Sequence, residues 1–336
     1  MKRFIFIINF LFAQYVFAQV ENVRVYNSSN TLIHTEKITS MSIDQEKNVW
    51  IGTLEGLIIY NGINWNLLTT KNSDLPSNKI LCITHQNTTT YIGTAEGMIE
   101  IKRYSRHVVG YFGKVYNTTN SNLPSNKIRE IIVDKNGCKW LATSNGLVRY
   151  NGKFETMLNK KINGIKDDNF ISLTIDNEDK IWAGTNNGLY SFQGNIWRVY
   201  NKNNSSIPDN HIWDIVVDSE NKKWIATKNG IATIQENEWE IFNKKNTPLE
   251  TNVIKIIKFD DYDRLWVGTD KGMVTFDGVE GKKNIICKKK KDIYSVFIDE
   301  KDNKWIGTKE SLIVYNQDGI DSIHNKRSIT DVIVSK

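Results

Sequence analysis

Short runs of β-branched and aromatic residues alternate with polar turns along the chain, and no stretch shows the 3.6-residue period of an amphipathic helix. Ile212 to Val217 is a typical run, and it ends at Asp218, where an acidic residue followed by Asn favours a tight turn. Alternation of apolar and polar residues within the runs is weak, which indicates strands packed on both faces. The pattern predicts an all-β protein made of short strands.

The runs belong to a repeat of about 42 residues. An aromatic residue followed by an aliphatic residue, Gly or Ala, and Thr occurs at seven anchors: Trp50, Tyr91, Trp140, Trp182, Trp224, Trp266 and Trp305. Six residues before the anchor lie Asp44, Asp134, Asp176, Asp218, Asp260 and Asp299, with His85 as the exception. Six residues after it lie Gly56, Gly97, Gly146, Gly188, Gly230 and Gly272, with Ser311 as the exception.

Each repeat reads as four strands, which is the content of one propeller blade. The second strand carries the anchor, the Gly allows a tight reversal into the third, and the fourth often opens with Trp. All four prolines (Pro76, Pro124, Pro208 and Pro248) fall in the links between repeats, where no ladder hydrogen bond is required. We therefore expect residues 19–336 to form a single β-propeller.

The two ends of the sequence bear on how the ring closes. Val23 to Asn30 resembles the fourth-strand segment Arg198 to Asn204, and Ile329 to Lys336 resembles another first strand. The preferred prediction is seven blades of four antiparallel strands, with the N-terminal strand sealing the last blade. An incomplete eighth blade is the alternative.

The segments Asp44 to Gly62 and Asp134 to Gly152 follow the pattern D-x-x-K/G-x-x-W-I/L-G/A-T-x-x-G-L-x-x-Y-N-G. This pattern resembles the two-component regulator propeller repeats, which form extracytoplasmic sensor domains of bacterial hybrid histidine kinases. The resemblance covers essentially residues 20–336, and it implies a sensor-like propeller, several relatives of which respond to oligosaccharides. The sequence has no kinase segment, so a separate membrane sensor is the signalling partner that we would expect.

The N-terminus is typical of a secretory signal peptide. Met1 to Arg3 is basic, Phe4 to Phe17 is mostly apolar, and Val16-Phe17-Ala18 suits cleavage before Gln19. We expect residues 1–18 to be removed and the mature chain to be exported to the periplasm, the cell surface or the medium, without a membrane span.

Charge and metal-binding residues give little reason to expect nucleic acid, metal or cofactor. The formal charge is +6 from 44 basic and 38 acidic residues, and it falls to +4 without Lys2 and Arg3. The three cysteines and five histidines are scattered, with no spacing typical of a metal site. Cys82, Cys138 and Cys287 therefore read as packed or incidental thiols.

Residues that every blade shares are expected to hold the blades together, so a ligand should contact residues that differ between blades. The first strand is innermost in a propeller. The residue types found four and five positions before the repeated Asp, in this strand, vary between blades. From these positions we predict a ligand-binding site at the mouth of the central channel, formed by Trp213, Asp214, Arg129, Glu130, Lys255 and Tyr294. In the second repeat the same count gives Ile80 and Leu81. Weaker candidates in the loops between second and third strands are Glu55, Glu96, Asn145, Asn187, Asn229 and Lys271.

The leading interpretation is a non-catalytic binding or sensor module for a glycan or a partner protein. One rival is a propeller enzyme, lyase or hydrolase, for which His211 and Glu130 are the only plausible acid–base pair. The other rival is an interaction scaffold with binding spread over loops. We expect the segment Arg103 to Phe112 to be a solvated loop, with a partner contact as the alternative. The run Lys288 to Lys291 is expected to protect an exposed strand edge against pairing with other strands.

Overall fold

A computed structural model of the chain describes residues 22–33, 37–102, 113–161, 165–276, 292–317 and 320. The expected signal peptide, Cys287 and the segments Arg103 to Phe112, Lys288 to Lys291 and Ile329 to Lys336 lie outside the described residues.

The described residues form seven sheets and no helix. The chain starts with β1 (Val23–Tyr26). Blade one contains β2 (Ile38–Ile43), β3 (Val49–Thr53), β4 (Leu57–Tyr60) and β5 (Trp65–Leu68). Blade two contains β6 (Ile80–Gln86), β7 (Thr89–Thr94), β8 (Met98–Lys102) and β9 (Lys114–Tyr116). Blade three contains β10 (Ile128–Val133), β11 (Lys139–Thr143), β12 (Gly146–Tyr150) and β13 (Phe154–Leu158).

The remaining blades repeat the pattern. Blade four contains β14 (Phe170–Ile175), β15 (Ile181–Thr185), β16 (Gly188–Gln193) and β17 (Ile196–Tyr200). Blade five contains β18 (Ile212–Val217), β19 (Lys223–Thr227), β20 (Gly230–Gln235) and β21 (Glu238–Phe242). Blade six contains β22 (Ile254–Phe259), β23 (Leu265–Thr269) and β24 (Gly272–Phe276). Blade seven contains β25 (Ile293–Ile298), β26 (Lys304–Thr308) and β27 (Leu312–Tyr315).

The strands of each blade pair antiparallel in chain order, and the first strands pack side by side as a closed inner ring. The ring closes where β25 of blade seven contacts β2 of blade one, and the Ser295 hydroxyl donates to the Ile38 carbonyl at 3.1 Å. β1 pairs with β27 as the outer strand of blade seven, Val23 opposite Tyr315 and Tyr26 opposite Leu312. The prediction of a seven-bladed all-β propeller sealed by the N-terminal strand is confirmed, and the closed ring leaves no place for an eighth blade.

The shared Asp and Trp form one hydrogen-bonded unit in six blades. The Trp indole Nε1 donates to the Asp Oδ2 at 2.7–3.0 Å, while the Asp Oδ1 accepts two backbone amides of its own turn. The rings are buried against the next blade: Trp50, for example, packs in one cluster with Ile80 and Ile92 of blade two. The interpretation of these columns as turn caps and inter-blade packing is therefore confirmed for the described blades.

The Thr and Gly columns close the turn between the second and third strands. The Thr hydroxyl donates to the Gly carbonyl at 2.7–2.9 Å in blades one to six, and to Ser311 in blade seven. Gly97 shows why Gly is required, because its φ is +136° and a Cβ there would lie 2.5 Å from the Tyr116 carbonyl oxygen. These turns lie on the same face as the starts of the first strands, since Ala95 donates its amide to the Lys79 carbonyl.

Candidate ligand-binding site at the channel mouth

Every first strand carries a bulge at its second residue. The pairing with the second strand skips this residue in all seven blades. The bulged residues are Thr39, Leu81, Arg129, Ile171, Trp213, Lys255 and Tyr294, and each is half-buried. A bulge re-aims the side chain away from the ladder. The seven side chains therefore lie at the start of the innermost strands, where the channel opens.

The residue before each first strand forms a second ring next to the bulges: Lys37, Lys79, Lys127, Asn169, His211, Val253 and Asp292. We call these two rings together the channel mouth. The sequence reasoning selected the bulge column but missed most of the second ring. The available signal was the same, since this column also differs between blades.

Blade two departs from the count made along the sequence. Its first hairpin turns at Asn87, which has a φ of 52°, and the strand β6 continues to Gln86. The position that corresponds to Trp213 is therefore Leu81, and its neighbour is Cys82. Ile80, which the count from His85 selected, is fully buried. The assignment of Ile80 to the variable pair is wrong, because His85 pairs with Thr90 as part of the strand and does not occupy the turn position of the repeated Asp.

Glu130 and Asp214 lie in the wall of the channel and hold adjacent blades together. The Glu130 carboxylate accepts the amide of Leu173 at 2.6 Å, and Asp214 accepts the amide of Ile257 at 2.9 Å. Each bond joins one first strand to the first strand of the next blade. These two residues were expected to bind ligand, but the structure directs the bonded oxygens into inter-blade contacts.

Burial of these carboxylates perturbs their protonation. Burial, reinforced by the nearby charge of Asp214, raises the pKa of Glu130 to about 8, against the opposing effects of Lys258 and the Leu173 amide. Burial likewise raises the pKa of Asp214, although Lys258 and two backbone amides act in the opposite direction. The channel wall therefore favours the neutral form of both carboxyl groups relative to water, and Glu130 holds its proton at neutral pH.

This arrangement predicts a pH-dependent stability. Because the folded pKa of Glu130 lies above its usual value of 4.5, the stability it confers is complete below pH 4.5 and is lost as the pH rises through 8. We expect the free energy of unfolding in urea to fall by roughly 1–3 kcal/mol across this range. Glu130→Gln should flatten the decline, whereas Glu155→Gln, on the outer strand of the same blade, should not. An unchanged pH profile in Glu130→Gln would contradict the assignment.

One side of the channel mouth is aromatic. The rings of His211 and Trp213 lie 4.3 Å apart at an angle of 55°, and Trp213 also packs against the core shared by blades five and six. Burial is the main cause of a lowered pKa for His211, so the ring is neutral at pH 7. Neither the Trp213 Nε1 nor the His211 Nε2 has a hydrogen-bond partner within the described part of the chain.

Arg129 of blade three lies on the same side of the channel mouth as Trp213 of blade five, with blade four between them. One guanidinium nitrogen of Arg129 donates to the Asn169 side chain at 2.9 Å, while its Nε has no partner among the described residues. Burial lowers the pKa of both Arg129 and His211, and the nearby charge of Asp167 acts in the opposite direction on each. Asp167 is itself held in place. Its two oxygens already accept the Asn169 amide and the Asn187 side chain, each at 3.0 Å.

The opposite side of the channel mouth is a charged cluster around Tyr294. Its hydroxyl donates to Asp292 at 2.9 Å, and Lys255 pairs with the same carboxylate at 3.0 Å. The ammonium groups of Lys37 and Lys255 lie 4.3 and 4.8 Å from the centre of the Tyr294 ring. The structure thus places Arg129, Trp213, Lys255 and Tyr294 around one opening, on blades three, five, six and seven.

The loop residues that were weaker candidates surround this opening. Asn187 holds Asp167, Asn145 donates to the Pro124 carbonyl at 3.0 Å, and Lys271 donates to the Glu250 carbonyl at 3.3 Å. They therefore order the links between blades. A separate cavity of about 480 Å³ lies away from the channel. It is lined by outer-strand residues of blades two and three, such as Tyr116 and Phe154, and by Asn120, which follows β9.

The proposed acid–base pair of an enzyme is divided between two environments. The Glu130 carboxylate accepts the Leu173 amide in the channel wall, while the His211 ring packs on Trp213.

No group of three His, Cys, Asp or Glu residues suited to a metal ion occurs in the parts of the chain that are described. Cys82 and Cys138 are buried and unpaired with each other, and burial raises the pKa of the Cys82 thiol. None of the described segments forms a helix with the length and hydropathy that a membrane span requires.

Comparison with solved structures identifies the same fold in proteins of different roles. The extracellular domain of a putative hybrid two-component system from B. thetaiotaomicron aligns with a TM-score of 0.72 and 18% identity, over 88% of this chain and 42% of that chain. An inactive variant of virginiamycin B lyase from Staphylococcus aureus aligns with a TM-score of 0.68 and 14% identity, covering 87% and 98% of the two chains.

A third similar structure is YCF48 from Cyanidioschyzon merolae, with a TM-score of 0.66, 11% identity and coverage of 89% and 100%. This chain spans less than half the length of the two-component protein that it matches. No family model and no curated protein matches the sequence. The similarities establish the propeller fold, which the extracellular domain and the lyase share.

Proposed function

We propose that this chain is an exported, non-catalytic ligand-binding propeller that recognises an oligosaccharide at the channel mouth. The observation that carries the proposal is the half-buried indole of Trp213, packed on the neutral ring of His211, with ring nitrogens that no described residue satisfies. An aromatic face beside unsatisfied polar groups suits a ligand with apolar ring faces and hydroxyl edges.

Three further observations support binding at this place. The polar side chains of the channel mouth come from several blades, so one ligand can contact elements that are far apart in sequence. These side chains are anchored by hydrogen bonds, such as that from Tyr294 to Asp292, and anchoring reduces the entropy lost on binding. The two-component protein that shares this fold supplies a precedent for a sensor role, in which a separate membrane sensor would respond to the bound propeller.

We infer that the propeller performs no chemistry of its own. A catalytic base must lie within hydrogen-bond reach of the proton that it removes. The Glu130 carboxylate accepts the Leu173 amide in the channel wall, whereas the His211 ring packs on Trp213, and no hydrogen bond joins the two groups among the described residues. The lyase that shares the fold keeps the enzyme hypothesis testable: turnover of a bound oligosaccharide by the wild-type chain would refute this part of the proposal.

The direct test is calorimetric titration of the chain from Gln19 with a panel of oligosaccharides. Trp213→Ala should weaken binding at least tenfold, because it removes the stacking surface, equivalent to about 1.4 kcal/mol or more. Trp213→Leu keeps apolar packing against the core and should lose binding to a similar extent. Trp239→Ala truncates a half-buried Trp of the outer strand in the same blade and should leave the affinity unchanged.

Two outcomes would contradict the proposal. Binding that survives both substitutions of Trp213 would move the site away from the channel mouth. Absence of binding across the panel, together with capture of a defined protein partner, would favour the scaffold hypothesis. Thermal melting of each variant shows whether a lost affinity reflects the site or the fold.

A further inference from the structure

The channel mouth carries an excess of positive charge that its own acids do not balance. The two rings contain five cations, Lys37, Lys79, Lys127, Arg129 and Lys255, and one acid, Asp292. Asp167, next to the rings, is buried and bonded to Asn169 and Asn187. Asp209, which accepts the His211 backbone amide at 2.8 Å, adds a third acid, so five positive charges face three negative ones around a single opening.

The cations lie close enough to repel one another. Arg129 is the main cause of a lowered pKa for Lys127, and Lys79 adds to the effect. Burial lowers the pKa of Lys37, with a further contribution from Lys255, against the opposing charge of Asp292. Mutual repulsion of this kind costs stability unless an anion binds among the cations.

The cations and the aromatic residues occupy different parts of the ring. Lys255, Lys37, Lys79 and Lys127 with Arg129 come from blades six, one, two and three, while Trp213 closes the circle on blade five. Neither Lys79 nor Lys127 pairs with an acid within 4.0 Å among the residues that the structure describes. The acidic residues Glu55 and Glu96 are exposed in the loops between second and third strands.

Arg129 is the best-positioned of these cations for an anion. Its guanidinium is half-buried: one terminal nitrogen donates to the Asn169 side chain at 2.9 Å, and the buried Nε has no partner among the described residues. A guanidinium presents parallel N–H donors that match the two oxygens of a carboxylate or sulfate. The aromatic pair of His211 and Trp213 lies on the next blade but one, within reach of the same oligosaccharide.

From this geometry we infer that the ligand of the channel mouth is an acidic oligosaccharide, whose carboxylate or sulfate groups bind Arg129 and the neighbouring lysines while a sugar ring stacks on Trp213. The inference rests on the proposed function and adds the chemical class of the ligand. It also predicts salt dependence, because counter-ions compete with charged groups at an exposed opening.

The test uses an array of matched oligosaccharide pairs: oligogalacturonates with their methyl esters, and sulfated oligosaccharides with their desulfated forms. We expect binding to the acidic member of a pair at least tenfold tighter than to the neutral member, and weaker binding at 500 mM than at 50 mM NaCl. Comparison of the oligogalacturonates with the sulfated oligosaccharides shows whether the site binds carboxylate or sulfate groups.

Matched variants localise the effect. Arg129→Gln should reduce the affinity for the acidic oligosaccharide at least tenfold. Lys127→Gln, at an exposed position, should reduce it about threefold. Lys153→Gln removes one charge from the same blade at the outer cavity and should change nothing. Equal binding of acidic and neutral partners, lost in Trp213→Leu, would overturn the acidic ligand yet retain the proposed function. No binding to any pair would overturn both.

Discussion

Truncation of Trp266 to alanine should destabilise the propeller by about 3–5 kcal/mol, because a large side chain at the contact between blades six and seven leaves a cavity. Trp266 is only 2% exposed, and it packs against Ile293, Val296 and Ile306 of blade seven. The truncation also removes the indole that donates to Asp260 at 2.8 Å.

A buried cation makes this position still more sensitive. The Lys304 ammonium, fully buried, lies 5.0 Å from the centre of the Trp266 ring and contacts Asp302, with the Asp260 carboxylate 3.9 Å away. Loss of the ring removes a cation–π partner from a charge that water does not reach. Unfolding in urea measures the effect, with Trp239→Ala as the control for a half-buried Trp outside the anchor column. A loss below 1 kcal/mol for Trp266→Ala would contradict the inter-blade role.

Removal of β1 should lower stability by about 2–4 kcal/mol and the melting temperature by roughly 3–6 °C. β1 completes the sheet of blade seven by pairing with β27, and its Tyr26 packs on the rings of Tyr60 and Trp65 in blade one, with centres 6.2 and 5.2 Å apart. The strand therefore ties the last blade to the first.

The comparison is between a chain that starts at Gln19 and one that starts at Asn27. Exposure of the β27 edge should also promote association at high protein concentration, because an unpaired edge is a template for strand addition. Tyr26→Ala tests the ring contacts separately from the backbone pairing and should have a smaller effect. An unchanged melting temperature in the shorter chain would show that β1 does not contribute to closure.

The repeat made the fold predictable from the sequence. Each shared column meets a local requirement that hardly depends on the rest of the molecule: the Asp accepts amides of its own turn, and the Gly permits a positive φ. Seven repeats in register, six of which meet each requirement, specify the blade, and Trp266 or Trp50 then has one place to pack. The signal from the N-terminal strand was also local, since β1 resembles the fourth strands that it replaces in blade seven.

The candidate site was predictable only in part, because side-chain partners on other blades are not visible in one repeat. Adjacent residues Arg129 and Glu130 look alike as variable polar positions, but the bulge sends Arg129 to the channel mouth and leaves Glu130 to accept an amide of blade four. Likewise, the hairpin between β6 and β7 is one residue shorter than the corresponding hairpin of blade five, which shifts the count in blade two, and only the observed pairing reveals it. Asp292 and Asn169 were missed because their roles depend on contacts with other residues: Asp292 accepts from Tyr294 and pairs with Lys255, and Asn169 accepts from Arg129 of the preceding blade.

The most direct test of the central claim is a crystal structure of the chain from Gln19 with the tightest-binding oligosaccharide of the array. The account predicts density at the channel mouth, with a sugar ring on Trp213 and an acidic group within hydrogen-bond distance of Arg129. Density confined to the cavity beside Tyr116 and Phe154, or to the outer strand edges, would contradict it.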